Sequence, residues 1–122
     1  IFLPMANGAE CLNGLINMRA TVCLNESAAF PFANCLADDE QELRSDADEQ
    51  LLLNVHFTEP VHVSSLQFAA TGEEAPTAIK LFVNMPDMGF DDAESEMPTH
   101  ELSLEGEMLV RLPPLKFKSV HN

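Results

Sequence analysis

The sequence predicts an all-β fold, a β-sandwich or a barrel, and three observations lead to that prediction. Short segments after residue 50 alternate apolar with polar residues, which is the period of a half-buried strand. Pro, Gly and acidic residues separate these segments as turns would. No helical pattern of ordinary length falls between them, so a parallel α/β sheet is not expected. Short strands joined by turns are typical of sandwiches and barrels.

The strand segments can be placed from their alternation. They are expected at Gln50–Phe57, Val61–Phe68, Ala78–Asn84, Glu101–Leu104, Met108–Leu112 and Leu115–Val120. In the second segment the apolar phase changes at Ser64-Ser65, as a β-bulge would produce. The inward phase predicts a buried core of Leu53, Val55, Phe57, Phe68, Leu81, Val83 and Phe117.

The first part of the chain is less regular. Leu12, Leu15 and Ile16 have helical spacing, which predicts a short helix or turn within a leading segment, residues 1–22. Residues 23–49 predict an irregular, solvated segment that includes a dense acidic run. The length suits a single domain over residues 1–122. Because the chain ends just after a predicted strand, we expect a sandwich that lacks its last strand or strands.

The charge limits the classes of partner. Twenty Asp and Glu against six Lys and Arg give a formal net charge of −14. Nucleic acids and anionic membranes need cationic residues to neutralise them, so neither partner is expected. No apolar run approaches the ~20 residues of a membrane span, and the opening residues do not form a signal peptide. Basic proteins are the partners that such a surface attracts, although acids kept for solubility are equally common.

The cysteines argue against redox or structural metal chemistry. Cys11, Cys23 and Cys35 are odd in number and form no Cys-x-x-Cys pair. A disulfide framework, a zinc ribbon and a thioredoxin centre are therefore not expected. Reduced, partly buried thiols in a cytoplasmic or nuclear protein fit this pattern.

Two weak metal-binding patterns are present in the sequence. His56 and His62 could meet across the turn at Pro60, but outer-face positions in a hairpin explain them better. Asp46, Asp48 and Glu49 resemble the start of a calcium loop, yet the Gly and Glu that an EF-hand needs are missing. Capping of backbone amides is the better interpretation of Asp46 and Asp48. We therefore expect no metal and no cofactor.

Catalytic signatures are also missing from the sequence. It has no nucleophile elbow, P-loop or dinucleotide fingerprint, and it contains no Tyr or Trp, the rings on which sugar sites rely. The sequence therefore predicts a protein that is not an enzyme, with no catalytic residues.

Several motifs, in order along the chain, resemble the PITH domain, the proteasome-interacting domain of a thioredoxin-like protein family. They are Cys23–Ser27, Asn34–Leu36, Ser45–Leu52, Pro60-Val61 with Leu66–Phe68, Ile79–Asn84 before Pro86, Met88–Glu94, Arg111-Leu112 and Lys116–Val120. Each is weak alone, but their order and spacing over about residues 15–120 are specific.

This resemblance implies a jelly-roll-like β-sandwich similar to galactose-binding-like domains. It also implies a non-enzymatic interaction module that docks on the regulatory particle of the 26S proteasome, monomeric when complete. Family members continue past the position of Val120 with at least one more core strand, which again predicts an incomplete sandwich. The matched motifs do not define the partner-binding residues.

Two alternatives stay open at this point. A similar sandwich could bind a small ligand, a sugar or a cation. The domain could also be the accessory part of a thioredoxin-like oxidoreductase. Exposed aromatic residues in the loops at one end would favour the first alternative, and an exposed, activated thiol would favour the second.

Overall fold

The structure, a computed structural model, describes residues 11–36, 41–69, 73–106 and 108–122. It contains six short strands, β1 to β6, and one short helix, α1. In chain order the elements are β1 (Val22–Leu24), β2 (Leu52–Asn54), β3 (Ser65–Phe68), β4 (Ala78–Leu81), α1 (Phe90–Ser95), β5 (His100–Ser103) and β6 (Met108–Arg111). The all-β prediction is confirmed.

The strands pair as three antiparallel, two-stranded sheets: β1 with β2, β3 with β6, and β4 with β5. Two of the pairs, β1–β2 and β4–β5, join consecutive strands, and the second is connected through α1, whereas β3 pairs with the more distant β6. Isolated bridges join Ile16 to Phe57 and Val61 to Val120, so segments distant in sequence meet beside the sheets. The arrangement of these sheets as the layers of a jelly roll stays a prediction.

Short helical turns occupy part of the irregular N-terminal half. The 3₁₀ helix Asn13–Leu15 confirms the short helix predicted around Leu12 and Leu15. A second 3₁₀ helix, Phe32–Leu36, buries Phe32 in the core. In the part of the chain that the structure describes, no helix is long and apolar enough to cross a membrane.

The fully buried core is apolar and contains Ile16, Phe32, Val61, Val63, Leu66, Phe68, Leu104, Leu112, Phe117 and Val120. Of the seven predicted core residues, Phe68 and Phe117 belong to it. The other five, Leu53, Val55, Phe57, Leu81 and Val83, pack against it but are only half-buried. They are less buried than predicted because all five line an open groove.

The phase change in the second predicted strand is confirmed. Val61 and Val63 are buried in one phase, then Ser65 and Leu66 are buried side by side, and Phe68 continues the new phase. Two adjacent inward residues are what a bulge produces. The regular strand is shorter than predicted because only Ser65–Phe68 pairs with β6.

The predicted strand Leu115–Val120 is wrong. Residues 114–117 form a turn, in which Lys116 N donates to the Pro113 carbonyl oxygen at 3.3 Å. Two prolines stand just before the segment, and proline favours turns because its φ is fixed and it has no N–H. Leu115 is exposed while Phe117 and Val120 are buried, so the alternation of a strand is not present.

Candidate interaction surface

A mostly apolar groove of about 540 Å³ lies in the described part of the chain. Both β2 and β4 border it along their whole length, and core residues such as Phe68 and Phe117 form part of its lining. Among the described residues, no strand pairs with the edge of β2 opposite β1, or with the edge of β4 opposite β5. The groove is therefore lined by two strands that each have one edge unpaired within the described residues. Its lining is mostly apolar, with a few polar residues that include Glu49, Gln50 and Glu94.

The cysteines lack the features of a redox centre. Cys11 is exposed, Cys23 and Cys35 are half-buried, and none of the three forms a disulfide. Burial, with smaller contributions from the nearby Glu26 and Cys35, raises the pKa of the Cys23 thiol from 9.0 to about 12. A reactive thiol needs a lowered pKa, because the thiolate is the nucleophile. The chemistry of Cys23 is therefore that of an inert, partly buried thiol.

The loop that resembles a calcium site is organised by Asn25. This residue has the left-handed backbone, φ 68°, and its side-chain amide donates to Asp48 Oδ1 at 2.8 Å and to the Gln50 carbonyl oxygen at 2.7 Å. Its own Oδ1 accepts from Ala47 N at 3.1 Å. Asp48 Oδ1 also accepts from Gln50 N at 3.0 Å, so amide capping is confirmed for Asp48. For Asp46 the contact is made by its backbone N–H, which donates to the Asn25 carbonyl oxygen.

Part of the acidic segment at residues 41–49 forms side-chain contacts within the fold. Glu42 forms an ion pair with Arg44, and the Arg44 guanidinium lies 4.7 Å from the centre of the Phe30 ring. Both partners of the ion pair are about half exposed, so its contribution to stability is small. The neighbouring acids Asp38, Asp39 and Glu40 lie outside the described residues.

An acidic segment between β4 and β5 contains the short helix α1, in a region where the sequence predicts no helix of ordinary length. Gly89 N donates to Asp92 Oδ2 at 2.9 Å, which fixes the start of the helix. Such N-terminal capping by an acid was visible in the sequence, but six residues are too few for a periodic apolar pattern. The helix leaves the carboxylates of Asp91, Asp92 and Glu94 exposed.

The histidines do not form a common site. His62 is exposed, while His56, which is less exposed, receives a hydrogen bond from Asn17 N at its carbonyl oxygen. His100 packs edge-on against Phe117, with ring centres 6.4 Å apart. Within the described ranges, no three His, Cys, Asp or Glu side chains lie close enough together to hold a metal ion.

Two surface residues were missed by the sequence analysis. Met97 and Leu115 are each 88% exposed, the highest values among the large apolar side chains that the structure describes. Leu115 lies in a segment that the sequence predicts as a strand, and Met97 lies between two predicted strands. Apolar residues in short irregular segments give no periodic signal, so their exposure could not be predicted.

These features define an all-β domain with a poorly reactive Cys23 thiol, an acidic surface and exposed apolar side chains. The family model of the PITH domain matches residues 4–122. This chain belongs to the PITH domain family.

Individual relatives agree with this assignment. PITH domain-containing protein 1 of Danio rerio is 35% identical over 101 residues, covering 76% of this chain and 48% of the relative. The Homo sapiens protein of the same name is 32% identical over 100 residues, covering 76% and 47%. Thioredoxin-like protein 1 of Schizosaccharomyces pombe is 32% identical over 118 residues, covering 90% and 41%. The chain thus spans about half the length of these relatives.

Proposed function

We propose that this chain is a non-enzymatic module that docks on the regulatory particle of the 26S proteasome. The observation that carries the proposal is membership of the PITH family over residues 4–122, because docking on that particle is what the resemblance to the family implies. The acidic surface is compatible with a protein partner and unsuited to nucleic acid or an anionic membrane.

The inert thiol supports binding over thioredoxin-like redox work. One relative is named thioredoxin-like protein 1, so an accessory redox role has to be weighed. A thiol that attacks a disulfide works best with a pKa near the ambient pH, and the pKa of Cys23 is about 12. Cysteines that form no disulfide also suit a reducing compartment, so the proposal includes a cytoplasmic or nuclear location.

The experiment measures binding of the chain to purified 26S proteasome, to isolated regulatory particle and to isolated proteolytic core particle, by biolayer interferometry. We expect binding to the first two and none to the third. Docking steered by the acids should associate more slowly as salt rises, because the Debye length is ~8 Å near physiological ionic strength. The dissociation rate should change less.

Two results would contradict the proposal. A chain that binds neither the 26S proteasome nor the regulatory particle would remove the docking function. Thiol-dependent turnover in an insulin-reduction assay would show that the chain is an oxidoreductase, and a Cys23→Ser variant would identify the thiol. An association rate that is constant over a wide salt range would limit the acids to a role in solubility.

A further inference from the structure

Most exposed apolar side chains in a folded protein are only partly exposed and need no functional explanation. Five large apolar residues of this chain are of that kind, with exposures between 37% for Phe30 and 51% for Val22. Met97 and Leu115 differ from them, since each is 88% exposed. Side chains of this size gain free energy when a partner covers them, about 25 cal/mol per Å² of apolar area.

The two residues belong to neighbouring segments. Lys116 Nζ, next to Leu115, donates to the Thr99 carbonyl oxygen at 3.2 Å, and Thr99 is two residues from Met97. One residue further along each segment, the rings of His100 and Phe117 meet edge to face. The turn at 114–117 and the loop at 96–99 are therefore adjacent, and together they present both apolar side chains. We call this surface, residues 96–99 and 114–117, the apolar tip.

The apolar tip is held in place by buried anchors. Phe117 is 4% exposed, and its carbonyl oxygen accepts from Val63 N at 3.0 Å. Thr99 N donates to the Leu81 carbonyl oxygen at 2.7 Å, and Thr99 Oγ1 accepts from Val83 N at 3.2 Å. Because both segments are fixed at their bases, a partner that binds here orders little additional backbone. Preorganisation of this kind increases affinity.

The charges around the apolar tip indicate the chemistry of its partner. The helix α1 and the residue that follows it place the exposed carboxylates of Asp91, Asp92, Glu94 and Glu96 just before Met97. On the other side, Lys116 and Lys118 are exposed, and the ammonium group of Lys116 is engaged by Thr99. Lys80, whose ammonium group donates to the Ala93 carbonyl oxygen of α1 at 3.5 Å, adds a third cation, so four carboxylates against three ammonium groups leave the surroundings weakly negative. A partner surface that is complementary to the apolar tip has an apolar socket, with Lys or Arg residues at the border that faces α1.

We infer that Met97 and Leu115 are the apolar anchors with which this domain docks on the proteasome regulatory particle, in a socket bordered by basic residues. This inference rests on the proposed function and adds the docking surface to it. Methionine is enriched in the centres of interfaces, and its flexible side chain adapts to irregular sockets. The carboxylates of Glu94 and Glu96 guide the approach, and the apolar side chains contribute most of the affinity.

The test compares three variants of the whole chain for binding to purified regulatory particle. The double variant Met97→Ala/Leu115→Ala removes both anchors and should weaken binding more than tenfold, mainly through faster dissociation. Glu94→Gln/Glu96→Gln should slow association and reduce its dependence on salt. The matched control for charge is Glu73→Gln/Glu74→Gln, which removes two exposed acids at the opposite end of the β4–β5 pair and should bind like the wild type. Unchanged thermal unfolding would show that all variants fold.

The outcomes separate the surface from the function. If the wild type binds and the double variant binds equally well, the apolar tip is not the docking surface, although the proposed function stands. If the wild type does not bind at all, both are overturned. If sedimentation shows a homodimer that the double variant abolishes, the apolar tip takes a second copy of this chain, and the inference is wrong.

Discussion

Phe117 shows what a single buried ring contributes to this molecule. It is 4% exposed, contacts His100 and lines the apolar groove from the core side. We expect Phe117→Ala to lower the free energy of unfolding by about 3–5 kcal/mol, because it removes buried area and leaves a cavity. Phe57→Ala, at a half-buried position on the same groove, should cost less. Urea unfolding of both variants checks this order, and equal losses would show that Phe57 is as well packed as Phe117.

Ser65 is a buried polar group whose removal should help stability. It is 3% exposed, and within the described part of the chain its hydroxyl has no hydrogen-bond partner. An unsatisfied buried hydroxyl costs about 1–3 kcal/mol. Ser65→Ala should therefore raise the free energy of unfolding by about 1 kcal/mol. A loss of stability in urea unfolding would reveal a bound water or another partner for this hydroxyl.

Cys23 should differ from Cys11 in its reaction with alkylating reagents. Burial raises the pKa of the Cys23 thiol to about 12, so almost no thiolate is present at pH 8. Iodoacetamide at that pH should modify the exposed Cys11 far faster than Cys23, as mass spectrometry of the digested protein will show. Similar rates at both positions would contradict the burial of Cys23.

The same pKa has a consequence for stability at high pH. The folded state keeps the Cys23 proton up to a pKa of about 12, whereas the unfolded thiol loses it near the ordinary value of 9.0. The protonated thiol therefore contributes its full stability below pH 9, and this contribution is lost between about pH 9 and pH 12. A Cys23→Ala variant should show a weaker fall of stability across this range.

Among the elements, the loop from Ala47 to Gln50 depends on one side chain. Asn25 joins β1 to this loop through its side-chain amide, which donates to Asp48 Oδ1 and the Gln50 carbonyl oxygen and accepts from Ala47 N, and it has a left-handed backbone. Asn25→Ala should lower the free energy of unfolding by about 2 kcal/mol, because the variant loses these hydrogen bonds and its left-handed backbone is strained. Asn25→Gly loses the bonds alone and should be the milder change. Thermal unfolding compares the two, and an equal cost would show that the backbone angle is unimportant.

The elements that the sequence predicted are those whose residues alternate. The strand Ala78–Leu81 and the phase change at Ser65 could be recognised because burial of one face of a strand gives the sequence an apolar period of two residues. The three residues of β1 and the six of α1 are too short to show any period. The alternation of Leu115 and Phe117 favoured a strand, but the two prolines just before these residues favour the turn that the structure contains.

The surface could be predicted less well than the elements. The acidic character of residues 41–49 follows from composition, but the contact of Arg44 with Phe30 depends on the folded path of the chain. In the same way, the exposure of Met97 becomes visible only when the loop at 96–99 has a position. Charge is a property of the sequence, whereas the accessibility of an apolar side chain is a property of the fold.

At the scale of the whole molecule, the groove and the two strands that line it favour association. Within the described residues, β2 and β4 each have one unpaired edge, and such edges tend to pair with another chain. We expect the 122-residue chain to self-associate as its concentration rises, and a hydrophobic dye to bind to the groove. Analytical ultracentrifugation measures this, and Leu53→Lys, which places a charge in the groove, should reduce the association. A cooperative monomer at all concentrations would contradict the prediction.

Asn84 connects the end of the β4 segment to the last residues of the chain by three hydrogen bonds. Asn84, with φ 58°, accepts at Oδ1 from His121 N at 2.7 Å, donates from its side-chain amide to the Ser119 carbonyl oxygen at 3.1 Å, and donates from its backbone N to the Asn122 carbonyl oxygen at 2.9 Å. Residues 85–118 therefore form a ring that is closed by hydrogen bonds instead of a covalent bond. Because α1, β5, β6 and the apolar tip all lie within this ring, a break in its backbone would not by itself release them from the rest of the molecule.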